Sequence, residues 1–129
     1  MEKIVISVQN ALLSEAITQM LKDSGEFEPY RISVGDKKSD VAEYCLMLNA
    51  DVLLEEVAYT SATSVKTRLQ EAKKVRQRVP GCKIVFLCEE TASPDMAREV
   101  MLAKKDGFID AFFYSSVTAK YLLAALTAL

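Results

Sequence analysis

The sequence predicts an α/β fold: a doubly wound parallel sheet of five strands with helices on both faces. Three observations predict it. Short apolar runs of strand length alternate with longer segments whose apolar residues recur at helical spacing. The runs KIVISV, VLL and KIVFLC are nearly continuous in Val, Ile, Leu and Phe, as strands covered on both faces are. The alternation repeats five times, and such units are joined by right-handed crossovers that lay helices on both sides of one sheet.

The elements follow in order. Lys3 to Val8 reads as the first strand. Leu12, Leu13, Ala16, Ile17, Met20 and Leu21 then mark a helix, with Asn10 as its N-cap and Gly25 as its stop. Pro29 to Val34 is a second strand, more polar and suited to a sheet edge. Ser39 to Leu48 reads as a second helix with Val41, Cys45 and Leu48 on one face. Asp51 to Glu55 is the third strand, and Tyr59 to Ser64 a small-polar loop. Val65, Leu69, Ala72, Val75 and Val79 form the apolar stripe of a third helix, closed by Pro80-Gly81. Lys83 to Cys88 is the fourth strand. Ser93-Pro94 opens a fourth helix and Gly107 ends it. Phe108 to Tyr114 is the fifth strand, and Val117, Tyr121, Leu122 and Ala125 mark the last helix.

Composition limits the function classes. The chain has 129 residues, half of them hydrophobic, which suffices for the core of one domain. A net charge of −2 implies no global attraction to nucleic acid or anionic membrane. No apolar run reaches spanning length, and Met1-Glu2-Lys3 leads straight into a strand pattern, so a cytoplasmic protein is expected. Cys45, Cys82 and Cys88 are odd in number and lack CxxC spacing, which favours reduced thiols. Without histidine, mechanisms built on Ser-His or Cys-His pairs are ruled out.

The chemistry concentrates where the third strand runs out, at Glu55 and Glu56. Ligands of open α/β sheets bind beyond the carboxyl ends of the strands, and a buried carboxylate needs a partner. The other strand ends offer little: Val8-Gln9, Cys88 and Ser115. Glu55, Glu56, Glu89 and Glu90 would form a cation site only if they converged. Neighbouring strand residues point to opposite faces, so scattered surface acids are expected. No Lys or Arg lies beside Cys88 in sequence to activate it, so it reads as a small buried hydrophobe. The segment VQNALLS after the first strand lacks glycine, which disfavours flavin or nucleotide phosphate, and no cofactor is expected. The third helix carries Lys66, Arg68, Lys73, Lys74, Arg76 and Arg78 against Glu71. A nucleic-acid or acidic-partner surface is one reading of it. A solvated face that complements the helix dipole is the expected one.

Several segments resemble bacterial response-regulator receiver domains: KIVISVQNALLSEAITQML (Lys3–Leu21), ADVLLEEV (Ala50–Val57), KIVFLC (Lys83–Cys88) and FFYSSVTAKYLLAAL (Phe112–Leu126). They cover nearly the whole chain in the right order. The resemblance implies the flavodoxin-like fold, strand order 2-1-3-4-5, as one receiver-like domain over residues 1–129. No DNA-binding output domain is visible, so any output is expected to act in trans.

The same resemblance exposes departures. The acidic pair that holds Mg²⁺ in the family falls on Val8 and Gln9, and the phosphoacceptor Asp falls on Glu56. The Thr or Ser after strand four falls on Cys88, and the Lys and Pro after strand five fall on Ser115 and Ser116. The aromatic three residues before that Lys is kept as Phe112. Mg²⁺ takes oxygen ligands, and phosphoryl transfer needs its charge stabilised, so no metal and no ordinary phosphotransfer are expected. Glu56 as a constitutive phosphomimic is the sharper reading. A carboxylate carries less charge and fewer oxygens than a phosphoryl group, so a solvated strand-end carboxylate is the expected one.

In the family the fourth helix, fifth strand and fifth helix form the surface for dimers and output partners. Phe112 and Tyr114 are expected on one side of the strand and Phe113 on the other, with Tyr121 closing over the same region. The expectation is a non-catalytic regulatory and interaction module: a degenerate, or pseudo-, receiver acting through a homodimer or protein partner. One alternative is a receiver with atypical input, through Glu56 modification or a small molecule or cation at the pocket. Another is a flavodoxin-like ligand binder.

Overall fold

The computed structural model describes residues 1–34, 40–89 and 94–129. Ten elements alternate along them: β1 (Glu2–Ser7), α1 (Ala11–Ser24), β2 (Phe27–Arg31), α2 (Val41–Leu48), β3 (Val52–Val57), α3 (Val65–Arg78), β4 (Lys83–Cys88), α4 (Pro94–Lys105), β5 (Ala111–Tyr114) and α5 (Ala119–Thr127). The strands form one sheet in the order β2-β1-β3-β4-β5, with every pair parallel. This is the flavodoxin-like α/β architecture that the sequence predicts.

Local chemistry sets the helix ends. Asn10, Asp40, Ser64 and Thr118 each accept, through the side chain, a backbone N–H three residues on. Gly25 ends α1 at φ +70°, a left-handed conformation in which a side chain is disfavoured. The helix start expected at Ser39 and the N-cap expected at Ser93 lie outside the described residues. Among the described residues, no helix is long and apolar enough to cross a membrane.

The core has two layers. One face of the sheet packs Val5, Leu53, Ile84 and Phe86 against α2, α3 and α4. The other packs Ile4, Ile6, Leu54, Val85 and Leu87 against α1 and α5. All three thiols are free and buried.

Four boundaries or faces differ from the sequence reading, each for a physical reason. β3 runs on past Glu55 through Glu56 to Val57, because Glu55, Glu56 and Val57 pair with Phe86, Leu87 and Cys88 of β4. β2 starts earlier, at Phe27, because that ring is buried in the core and Glu2 pairs opposite it. Pro29 sits mid-strand opposite Ile4, which an edge strand tolerates. β5 starts later, at Ala111, because Gly107 and Phe108 return their N–H groups to Lys104 and Ala103 and cap α4. α1 is rotated from its apolar stripe: Ser14, Ile17, Thr18 and Leu21 are buried, while Leu12 is 78% exposed. The Thr18 hydroxyl donates to the Ser14 carbonyl at 2.7 Å, which satisfies it inside the core.

Candidate functional site

The carboxyl ends of β1 and β3 lie side by side, with Ser7 paired opposite Glu55. Successive strand residues face opposite ways, so Glu55 and Glu56 enter different layers. Glu56 faces the α1 side. Its Oε1 accepts the backbone N–H of Gln9 at 2.9 Å and that of Asn10 at 3.3 Å. These groups lead into α1, where orphan N–H donors and the helix dipole favour negative charge. Gln9 is fixed in turn, its Oε1 accepting from the Thr60 hydroxyl at 3.2 Å. Thr60 also shares a hydrogen bond with Thr63, whose side chain is buried.

Glu55 faces the other layer. It is not a surface acid, as the sequence suggested, but fully buried. Arg68 of α3, equally buried, donates from Nη1 to Glu55 Oε2 at 2.9 Å. The same guanidinium binds the Ser7 hydroxyl at 2.8 Å and the carbonyls of Ser7 and Glu56 at 2.7 Å each. It reaches Glu71 Oε2 at 3.5 Å. A fixed fork of donors therefore ties the ends of β1 and β3 together from beneath. Burial pushes the Glu55 carboxyl well above its ordinary range, Arg68 opposes this, and the nearby Glu71 charge adds to it. Glu55 Oε1 is buried without a hydrogen-bond partner among the described residues.

The remaining positions of the expected pocket offer Glu56 little chemistry. Val8 is buried in the α1–α5 layer and presents no polar atom. Cys88 is buried in the opposite layer, with Phe86, and burial pushes its thiol up to about 11. Ser115 is exposed past the end of β5 and lines a small cavity of about 100 Å³ between α1 and α5, with Leu13, Met20 and Leu87. Among the described residues, no hydrogen bond joins Ser115 or Cys88 to Glu56. Among the described residues, no group of three potential ligands has metal-binding proximity; Glu90 lies outside them.

The aromatic residues divide between the layers. Phe112 and Tyr114 meet edge-on at 6.3 Å between ring centres. Tyr121, 62% exposed, does not close over them: it meets Phe113, 6.2 Å away on the other side of β5.

Arg68 is the residue that sequence reading missed. The sequence groups it with the cations of a solvated face, yet it sits three residues after Val65 and four before Ala72, both buried. A cation on the apolar stripe of a helix, facing a strand with a carboxylate in its apolar run, is the signal of a buried pair.

No protein-family profile matches the chain, and no curated protein matches it in sequence. Solved structures do. A DNA-binding response regulator of the LuxR family from Staphylococcus aureus superposes with a TM-score of 0.76 at 16% identity, covering 99% of this chain and 98% of that one. The REC domain of AraT, a response regulator from Geobacillus stearothermophilus, gives 0.74 at 16% identity, covering 98% and 91%. The chemotaxis protein CheY4 of Vibrio cholerae gives 0.72 at 20% identity, covering 99% and 98%. With its strand order and its five alternating helices, the chain has the fold of the response-regulator receiver domains.

Proposed function

We propose that this chain is a pseudo-receiver: a non-catalytic regulatory module that works through protein contacts and not through phosphorylation of its pocket. The observation that carries the reading is the engagement of Glu56 with the backbone of Gln9 and Asn10. The carboxylate at the acceptor position is already held by internal donors.

The donor set supports the same reading. The residues do not fit the Mg²⁺ that the fold family implies. Val8 has no ligand atom, Gln9 Oε1 accepts from Thr60, and the Oε1 of Glu56 serves two amides. Ser115 supplies no cation to offset charge on a transferred phosphoryl group. The α4–β5–α5 face, where Tyr114 and Tyr121 are exposed, is the proposed contact surface for a homodimer or a protein partner. Incubation with acetyl phosphate and Mg²⁺, followed by intact-mass measurement, tests the reading. An unmodified protein is expected, and a phosphoryl adduct on Glu56 would overturn it.

A further inference from the structure

Much of the positive charge of α3 is spent internally. Arg68 is buried on Glu55, Arg76 pairs with Asp110 at 2.7 Å, and Lys73 lies 4.8 Å above the Phe108 ring. Lys66, Lys74 and Arg78 remain exposed, and among the described residues none has an ion-pair partner. The exposed positions of the helix are Lys66, Gln70, Lys73, Lys74, Gln77 and Arg78, cations and amides without an acid. The single acid of the helix, Glu71, is turned inward to Arg68.

Lys66, Gln70, Lys74 and Arg78 follow one another at four-residue intervals. They form a ridge about 18 Å long, at 1.5 Å per residue. Residues at this spacing are neighbours on one face of a helix, so a second helix lying alongside can meet all four. We infer that this row of α3 is a docking surface for an acidic helical segment of a partner protein, one with Asp or Glu repeating every fourth residue.

Charge selects this occupant over nucleic acid. Six of the sixteen Lys and Arg residues but only one of the eighteen Asp and Glu residues lie in α3, which leaves ten cations against seventeen acids elsewhere. A long polyanion would meet that acidic remainder, whereas a short segment lying along one helix would not. α3 also has no aromatic residue on which bases could stack. The inference does not depend on the state of Glu56, so its test and the phosphorylation test fail separately.

The probe is a labelled synthetic helical peptide with Glu at four successive four-residue intervals. It is compared with a peptide of the same composition whose glutamates are scattered around the helix, and with a short DNA duplex. Titrated against the intact protein, the ordered peptide is expected to bind best, and more weakly as salt rises. Lys66→Glu, Lys74→Glu and Arg78→Glu together are expected to weaken it by at least about tenfold, through like-charge contacts. The neutral set Lys66→Gln, Lys74→Gln and Arg78→Gln is expected to give a smaller loss, and Lys22→Glu or Lys120→Glu none. Circular dichroism confirms that each variant is folded. Absent peptide binding, equal binding of the scattered peptide, preference for DNA, or unchanged affinity in both folded α3 variants would each overturn the inference.

Discussion

Arg68 Nη1 donates to Glu55 Oε2 at 2.9 Å, and neither side chain reaches solvent to any useful degree. The pair joins the middle of β3 to the inner face of α3, directly beneath the strand ends that carry the candidate site. Removing one partner of a buried pair strands the other, at about 3–5 kcal/mol, whereas an apolar replacement of both is often neutral or stabilising. Arg68→Ala is therefore expected to lower unfolding stability in urea by that amount. Arg68→Met with Glu55→Leu is expected to recover most of it. A near-neutral Arg68→Ala would show that the pair does not hold the strand ends.

The raised Glu55 carboxyl makes stability depend on pH. The folded state holds this proton more tightly than the unfolded state does. The associated stability is fully present below the ordinary glutamate pKa, about 4.3, and is lost as pH rises through the higher folded value. Glu55→Gln keeps an acceptor for Arg68 but cannot titrate. Its stability profile is expected to be flatter than that of the wild type above the ordinary carboxylate range. Parallel profiles for the two proteins would assign the pH dependence to other groups.

Glu56 fixes the β1–α1 connection through the N–H groups of Gln9 and Asn10. Hydrogen bonds to a charged acceptor contribute about 1.5–3 kcal/mol, and the partial exposure of this one brings the expected cost of Glu56→Ala to about 1 kcal/mol. Hydrogen exchange of the Gln9 and Asn10 amides is the direct readout. Both are expected to exchange faster in the variant. Unchanged exchange would mean that the loop does not rely on Glu56.

Association is expected through the α4–β5–α5 face, although Tyr114 and Tyr121 rest on different rings. Truncating an aromatic at an interface centre costs about 2 kcal/mol or more. Sedimentation of the wild type beside Tyr121→Ala and Tyr114→Ala is expected to show weaker self-association in at least one folded variant. A wild type that stays monomeric at high concentration removes the homodimer and leaves only a foreign partner for this face.

The fold was legible because β1, β3 and β4 carry short runs of Val, Ile, Leu and Phe, and because Asn10, Gly25 and Gly107 mark helix ends. The weaker parts were those in which a polar residue has a buried partner distant in sequence. Arg68 lies 61 residues from Ser7 and 13 from Glu55, and only its place on the apolar stripe of α3, between Val65 and Ala72, separates it from Lys66 or Lys74. Ser14 and Thr18 misled the reading of α1 in the same way, because a hydroxyl that bonds back to a helix carbonyl can be buried like an apolar residue. The site was legible as a set of substitutions at Val8, Gln9, Glu56, Cys88 and Ser115. That Cys88 and Glu56 enter opposite layers depends on the register of β3 with β4, in which Val57 and not Glu56 is paired with Cys88.

If only the chemistry of the pocket is missing, Val8→Asp, Gln9→Asp, Glu56→Asp and Ser115→Lys together should create Mg²⁺ affinity that calorimetry can detect. Absence of binding in a folded variant would mean that the strand ends are not arranged to hold the ion.

The most direct test of the pseudo-receiver reading is intact-mass measurement of the wild type after incubation with acetyl phosphate and Mg²⁺, beside that four-residue variant. The wild type is expected to keep its mass at every time point, because Glu56 is held by the Gln9 and Asn10 amides and Val8 offers the metal nothing. A phosphoryl adduct on wild-type Glu56, absent from Glu56→Gln, would contradict the account.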